Sequence, residues 1–289
     1  MPTPEWVPAF LNLVRDAGAQ DLGAGHLTTV SDYSSKGDFR TYSFLVFDQA
    51  SFAEWVSRRD ILRRQMPDNR RFSYKKLGPT SQLNAFVDEF LTIADDLRGW
   101  LFTVTVNKRL DNLVADDQTM SAWARITELK GNWKSRMQFE SVLRINVFFA
   151  LVLSQVIGET RTLDWISDQD DVFANDDKSM DVASLLRHSL LDFTSDIERY
   201  IQVGTSEIDN GDLYNEDLLS IPDLAAGAVS DAATHRFDVD RVAAKSTRIL
   251  SWLANRDGTL SKLVIEFRPE DGQMMSLHAI NDELGAMAR

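Results

Sequence analysis

The sequence predicts an α/β fold: a mixed sheet flanked by helices, in one domain over residues 1–289. Two observations point there. Short β-branched and aromatic runs alternate along the chain with stretches of helical periodicity. The first two such runs are joined by the polar cluster "SSKGD", the signature of an antiparallel hairpin inside an otherwise alternating order. A hydrophobic fraction of 44% in 289 residues is enough for a substantial core.

Taken in order, strands are predicted at His26–Ser34 and Phe39–Asp48, a helix over Ala50–Gln65 and a third strand at Arg71–Leu77. Leu83, Phe86, Val87, Phe90, Leu91, Ala94 and Leu97 then recur at helical spacing, and the helix gives way near Gly99 to the strand "WLFTVTVN". Asp116–Ile157 reads as helical with a break at Gly131, and residues 113–158 form a helical insertion that would serve as a substrate cap or a dimer surface. A strand follows at Arg161–Ser167, then the acidic cluster "DQDDVFANDD", a helix over Ser179–Phe193 and a strand at Arg199–Thr205. The stretch "SIPDLAAGAVSDAA" opens a helix with Ser220 as cap and Pro222 in the first turn. The C-terminal part, 238–289, comprises a helix over Asp238–Asn255 and a hairpin around "EDGQ".

Composition removes several chemistries. The chain has no cysteine, so disulfides, thiolate nucleophiles and zinc–sulfur sites are excluded. Its four histidines lack paired metal spacing, and no glycine-rich phosphate loop or serine-hydrolase elbow is present. Glu5 and the absence of early basic residues argue against a secretory signal, and the apolar run Ile145–Leu153 is too short to cross a bilayer. The expected location is the cytoplasm. A net charge of −13 argues against general nucleic-acid binding, but Ser57–Lys76 carries a local +6. Arg58, Arg59, Arg63, Arg64, Arg70, Arg71 and Lys76 would make this patch a nucleic-acid surface, although a solvated helix face has the same pattern.

Ligands in α/β sheets gather beyond the carboxyl ends of strands. Three aspartates fall in such places: Asp32 at the end of the first strand, Asp168 after "TLDWIS", and Asp223 at a helix start. Converging carboxylates repel one another, and a divalent cation removes that penalty. Each also has a plain structural account: an Asx-turn for Asp32, a solvated loop for 168–171, and a helix-dipole partner for Asp223. Gly227, among Ala225, Ala226 and Ala228, implies a helix packed closely on the sheet.

These segments resemble a bacterial and phage-associated family of uncharacterised proteins with a predicted ribonuclease-H-like fold. "SDYSSKGD" is similar to the family's Asp-Glu-Ser-Gly strand end, with Tyr33 where the family has glutamate. "LLSIPDLAAGAV" resembles its closing helix, "LDWISDQDD" its intervening acidic strand end, and "FSYKKLG" its lysine-bearing segment. The resemblance implies a ribonuclease-H-like sheet and a phosphodiesterase, most simply a nuclease on DNA or RNA, using Mg²⁺ or Mn²⁺. Asp32, Asp168 and Asp223 would be metal ligands, with Asp170 or Glu207 as a fourth carboxylate and Lys75 on a substrate phosphate. Two alternatives stay open. One is a non-catalytic binding or regulatory protein of a mobile-element or phage-defence system, with a protein partner; Asn107, where such nucleases often carry an acid, fits it. The other is an enzyme acting on a small phosphorylated molecule. Oligomeric state is not readable from the sequence.

Overall fold

A computed structural model describes residues 4–287 apart from 20, 24, 68–69, 111–112, 115–116, 127–128, 132, 134, 159–161, 169–171, 195–199, 210 and 271–274. Side chains at 117, 118, 126, 207, 208, 239 and 287 are likewise outside the description. The helices are α1 (Val7–Asp16), α2 (Phe52–Gln65), α3 (Val87–Ala94), α4 (Asp117–Ile126), α5 (Arg136–Val156), α6 (Asp176–Leu191), α7 (Tyr214–Thr234), α8 (Ala244–Ala254) and α9 (Asn281–Met287). The strands are β1 (His26–Lys36), β2 (Phe39–Asp48), β3 (Gly99–Asn107), β4 (Thr162–Ser167), β5 (Tyr200–Thr205), β6 (Leu260–Pro269) and β7 (Met275–Ala279).

The strands form one seven-stranded sheet in the order β5-β4-β1-β2-β3-β6-β7. β1, β2 and β3 make an antiparallel meander; β4 lies parallel to β1, β5 to β4 and β6 to β3, while β7 returns antiparallel to β6. The architecture is therefore α/β with a mixed sheet flanked by helices, as the alternating pattern predicts. Both faces are covered, which is why "YSFLVF" reads as a continuous apolar run. Tyr42, Phe44 and Val46 face one core with α1, α5 and α6, and Leu45 and Phe47 face a second core with α2, α3, α7 and α8. α5 is long and apolar enough to cross a membrane by length and composition, yet here it is a core helix buried along most of its length.

Several boundaries differ from expectation, each for a physical reason. β1 does not stop at Ser34 but continues to Lys36, where Gly37 and Asp38 form a two-residue turn. Gly37 has φ +52°, and a Cβ there would lie 2.8 Å from Thr234 Cγ2, so the turn needs glycine twice over. Residues 71–77 form no strand: they are irregular with a 3₁₀ turn at Tyr74–Lys76. Their backbone groups are taken instead by helix side chains. Ser220 Oγ donates to the Phe72 carbonyl, the Tyr74 amide to Asp223, and Lys245 Nζ to the Tyr74 carbonyl.

α7 begins at Tyr214, not at a Ser220 cap, so Pro222 and Asp223 lie inside it. Proline removes the bond to the Leu218 carbonyl, a cost of about 3 kcal/mol in an isolated helix. Burial of Leu218, Leu219, Ile221, Leu224 and Val229 outweighs it. α6 starts earlier than predicted because Asn175 caps it, accepting from the Lys178 amide at 3.0 Å, with Asp176 and Asp177 in the first turn. The segment predicted as one helix over 238–255 holds a 3₁₀ turn before α8.

Candidate functional site

The register of the sheet brings two of the three predicted aspartates together. β1 and β4 pair in parallel as far as Ser31 opposite Ser167, so Asp32 and Asp168 follow at the point where the strands part. β1 runs on beside β2, with Asp32 opposite Ser43, so Asp32 is inside a strand and not at its end. The third acid arrives from above. Small hydroxyl residues, Ser43 with Thr103 and Thr41 with Thr105, bond each other across β2 and β3 at 3.0 Å. α7 packs across β1 and β2 with alanines 225, 228 and 232 in its buried face, and thereby carries Asp223 to the site.

Arg71 stands among these acids. Its Nη1 donates to Asp168 Oδ2 at 2.9 Å and to Glu216 Oε2 at 3.2 Å, and its Nη2 is 3.6 Å from Asp32 Oδ2. Asp32 accepts from the Tyr33 amide at 2.7 Å, and Asp223 accepts from the Tyr74 amide at 2.7 Å. Burial, reinforced by the charge of Asp223, pushes the Asp32 carboxyl well above the ordinary carboxylate range. Burial alone would lower the Arg71 guanidinium, but the charge and hydrogen bond of Asp168 reverse this and hold it above its usual value. With Asp32, Asp168, Glu216 and Asp223 all ionised, one guanidinium in direct contact leaves three negative charges unmatched. Among the described residues no three carboxylate or imidazole side chains are disposed to share one ion as they stand. The guanidinium is what lies between them.

The turn that carries Tyr74 is clamped from several sides. Its ring lies against Gly227, where a Cβ would fall 2.2 Å from Tyr74 Cγ. Gly227 thus admits an aromatic ring; the expected close approach is to this turn and not to the sheet. The phenol is 2.6 Å from Ser246 Oγ, which donates to Asp231 Oδ2 at 2.6 Å, and Lys36 closes an ion pair with the same carboxylate. Burial pushes the Tyr74 phenol up, so it remains protonated. Lys245 sits 4.0 Å over the ring. Sequence reasoning missed Arg71 as the centre of the site, along with Glu216, Tyr74, Asp231, Lys245 and Ser246. Gly227 was the one signal, since a glycine in mid-helix implies a close neighbour.

The basic segment does not form one surface. Arg59 and Arg63 turn inward onto Asp217 of α7, whose carboxylate is fully buried, and Arg58 pairs with Asp96. Arg59 and Arg63 are thereby withdrawn from the expected nucleic-acid surface, because a carboxylate inside the core must be matched. Arg64, Arg70, Lys75 and Lys76 are exposed. Arg70, Lys75 and Lys76 line an open cleft of about 840 Å³ with Thr80, Ser81 and Gln82, and among the described residues no acid lines it. Lys75 lies on this cleft, while Arg71 is the cation in contact with the carboxylates. Asp170 and the side chain of Glu207 lie outside the described residues. No protein-family model matches the chain, and no curated protein sequence does.

Proposed function

We propose that the protein is a divalent-metal-dependent phosphodiesterase, a nuclease acting on DNA or RNA, built on a ribonuclease-H-like sheet. The observation that carries this reading is the meeting of Asp32 and Asp168 at the parting of parallel strands, faced by Asp223 from α7. The mixed sheet flanked by helices, with β2 antiparallel to both β1 and β3, is compatible with it. The donor set fits Mg²⁺ or Mn²⁺. Its members are hard oxygens carrying excess negative charge, and Mg²⁺ is commonly held by one or two carboxylates together with waters and phosphate. Asp32 and Asp223 would hold the ion, with Asp168 beside them. When bound, such an ion supplies charge neutralisation at a phosphoryl oxygen and acidification of water. The Tyr74 amide fixes the Asp223 carboxylate, and Arg70, Lys75 and Lys76 offer the cleft through which a phosphate backbone would approach.

The test is cleavage of single- and double-stranded DNA and RNA with and without Mn²⁺ by wild type, Asp32→Asn and Asp223→Asn. Cleavage that needs Mn²⁺ and disappears in both variants, with circular dichroism unchanged, is the expected result; wild-type rates in both variants eliminate the site. The ion pairs of Arg71 favour a second reading, a non-catalytic binding or regulatory protein of a mobile-element or phage-defence system with Arg71 as permanent counter-ion. Calorimetry separates the two, since only the first reading requires saturable Mn²⁺ binding near millimolar concentration.

A further inference from the structure

Arg59 and Arg63 on the one hand and Arg71 on the other are held in different ways, and the contrast between them carries an inference about the acidic site. Arg63 engages Asp217 with Nε and Nη2, one on each carboxylate oxygen, and Arg59 adds Nε to the same group. Side-chain exposure there is 6% for Arg59, 9% for Arg63 and 0% for Asp217. This is the fork geometry of a permanent ion cluster. Arg71 is held differently. It forms no two-pronged pair: one nitrogen is shared by Asp168 and Glu216, and the other stands 3.6 Å from Asp32. Its Nε is buried with no partner among the described residues, whereas the Nε of Arg59 and of Arg63 each donate to Asp217. Its own side chain is 15% exposed, and those of Asp168 and Glu216 are 42% and 27% exposed, so its partners open toward solvent.

A guanidinium is also a poor match for the charge it faces. It brings one diffuse positive charge to carboxylates from β1, the end of β4 and α7. A divalent cation brings twice the charge in a smaller volume, so at Asp32, the acid both would use, it outcompetes a guanidinium standing 3.6 Å away.

We propose that Arg71 is an exchangeable counter-ion, neutralising Asp32, Asp168 and Glu216 in the cation-free protein and giving way when a divalent cation enters. This rests on the metal reading above, and it assigns Glu216 a role distinct from the acids that hold the ion. Glu216 retains Arg71, so loosening that hold favours the cation even though it removes a negative charge from the neighbourhood. A simple field effect predicts the opposite sign.

The experiment is calorimetric titration with Mg²⁺ of wild type, Glu216→Gln and Arg71→Gln, each checked for folding by circular dichroism. Glu216→Gln is expected to bind Mg²⁺ roughly threefold more tightly than wild type, and Arg71→Gln roughly tenfold more tightly. Equal or weaker binding by Glu216→Gln, with wild-type binding intact, overturns the exchange and spares the metal reading. Should Glu216→Gln fail to fold, unchanged affinity in Arg71→Gln overturns the exchange equally. Absence of Mg²⁺ binding in all forms overturns both.

Discussion

Asp32 has its carboxylate beside Asp223, with the Tyr33 amide and the more distant Arg71 to offset its charge. The folded protein therefore holds the Asp32 proton more tightly than the unfolded chain does. Stability contributed by this group is full below the ordinary carboxylate value of about 4 and is lost as pH rises through the raised folded value. Asp32→Asn, which cannot ionise, is expected to raise the melting temperature at neutral pH in cation-free buffer. The advantage should vanish below about pH 4. Melting curves across this range check it, and a variant no more stable than wild type at neutral pH contradicts the account. Gly227 offers a second residue-scale test. In an exposed helix, glycine to alanine gains about 1 kcal/mol. Here the new methyl meets the Tyr74 ring, so Gly227→Ala is expected to destabilise by about 1–3 kcal/mol in urea denaturation.

At the scale of elements, α7 joins the site to the rest of the fold. Asp217 ties it to α2 through Arg59 and Arg63, and Asp231 ties it to β1 and α8 through Lys36 and Ser246. Asp217→Asn leaves Arg63 without its carboxylate and the buried Arg59 with that of Asp60, and is expected to cost about 3–5 kcal/mol by denaturant titration. The same element shows where local patterns mislead. Pro222 reads as a first-turn residue because proline inside a helix is unfavourable, yet α7 extends eight residues before it. Burial against the sheet, absent from any local window, decides the matter. Likewise "RFSYKKL" has strand-like residues but no neighbouring strand. Its carbonyl and amide groups bond to side chains from α7 and α8 that lie 148 to 171 positions away in sequence. By contrast, β2, β3 and α5 were legible, because their unbroken apolar character is a property of contiguous residues.

For the whole molecule, the sheet divides two cores and opens at one end between β1 and β4, and the acids gather at that opening. An ion bound only by the folded chain stabilises it by mass action. Mn²⁺ at a hundred times its dissociation constant is expected to add about 2.7 kcal/mol to wild type and nothing to Asp223→Asn, as read by denaturation with and without the ion. The alternating order of elements and the hairpin turn were determined by the sequence itself, because strand period, helix period and turn chemistry are local. The register that sets Asp32 beside Asp168, the inward turn of Arg59 and Arg63, and the entry of Arg71 among the acids were decided only by tertiary structure. The reason is that a charge inside a protein is matched by whichever opposite charge the packing brings within reach, and no sequence spacing records that distance.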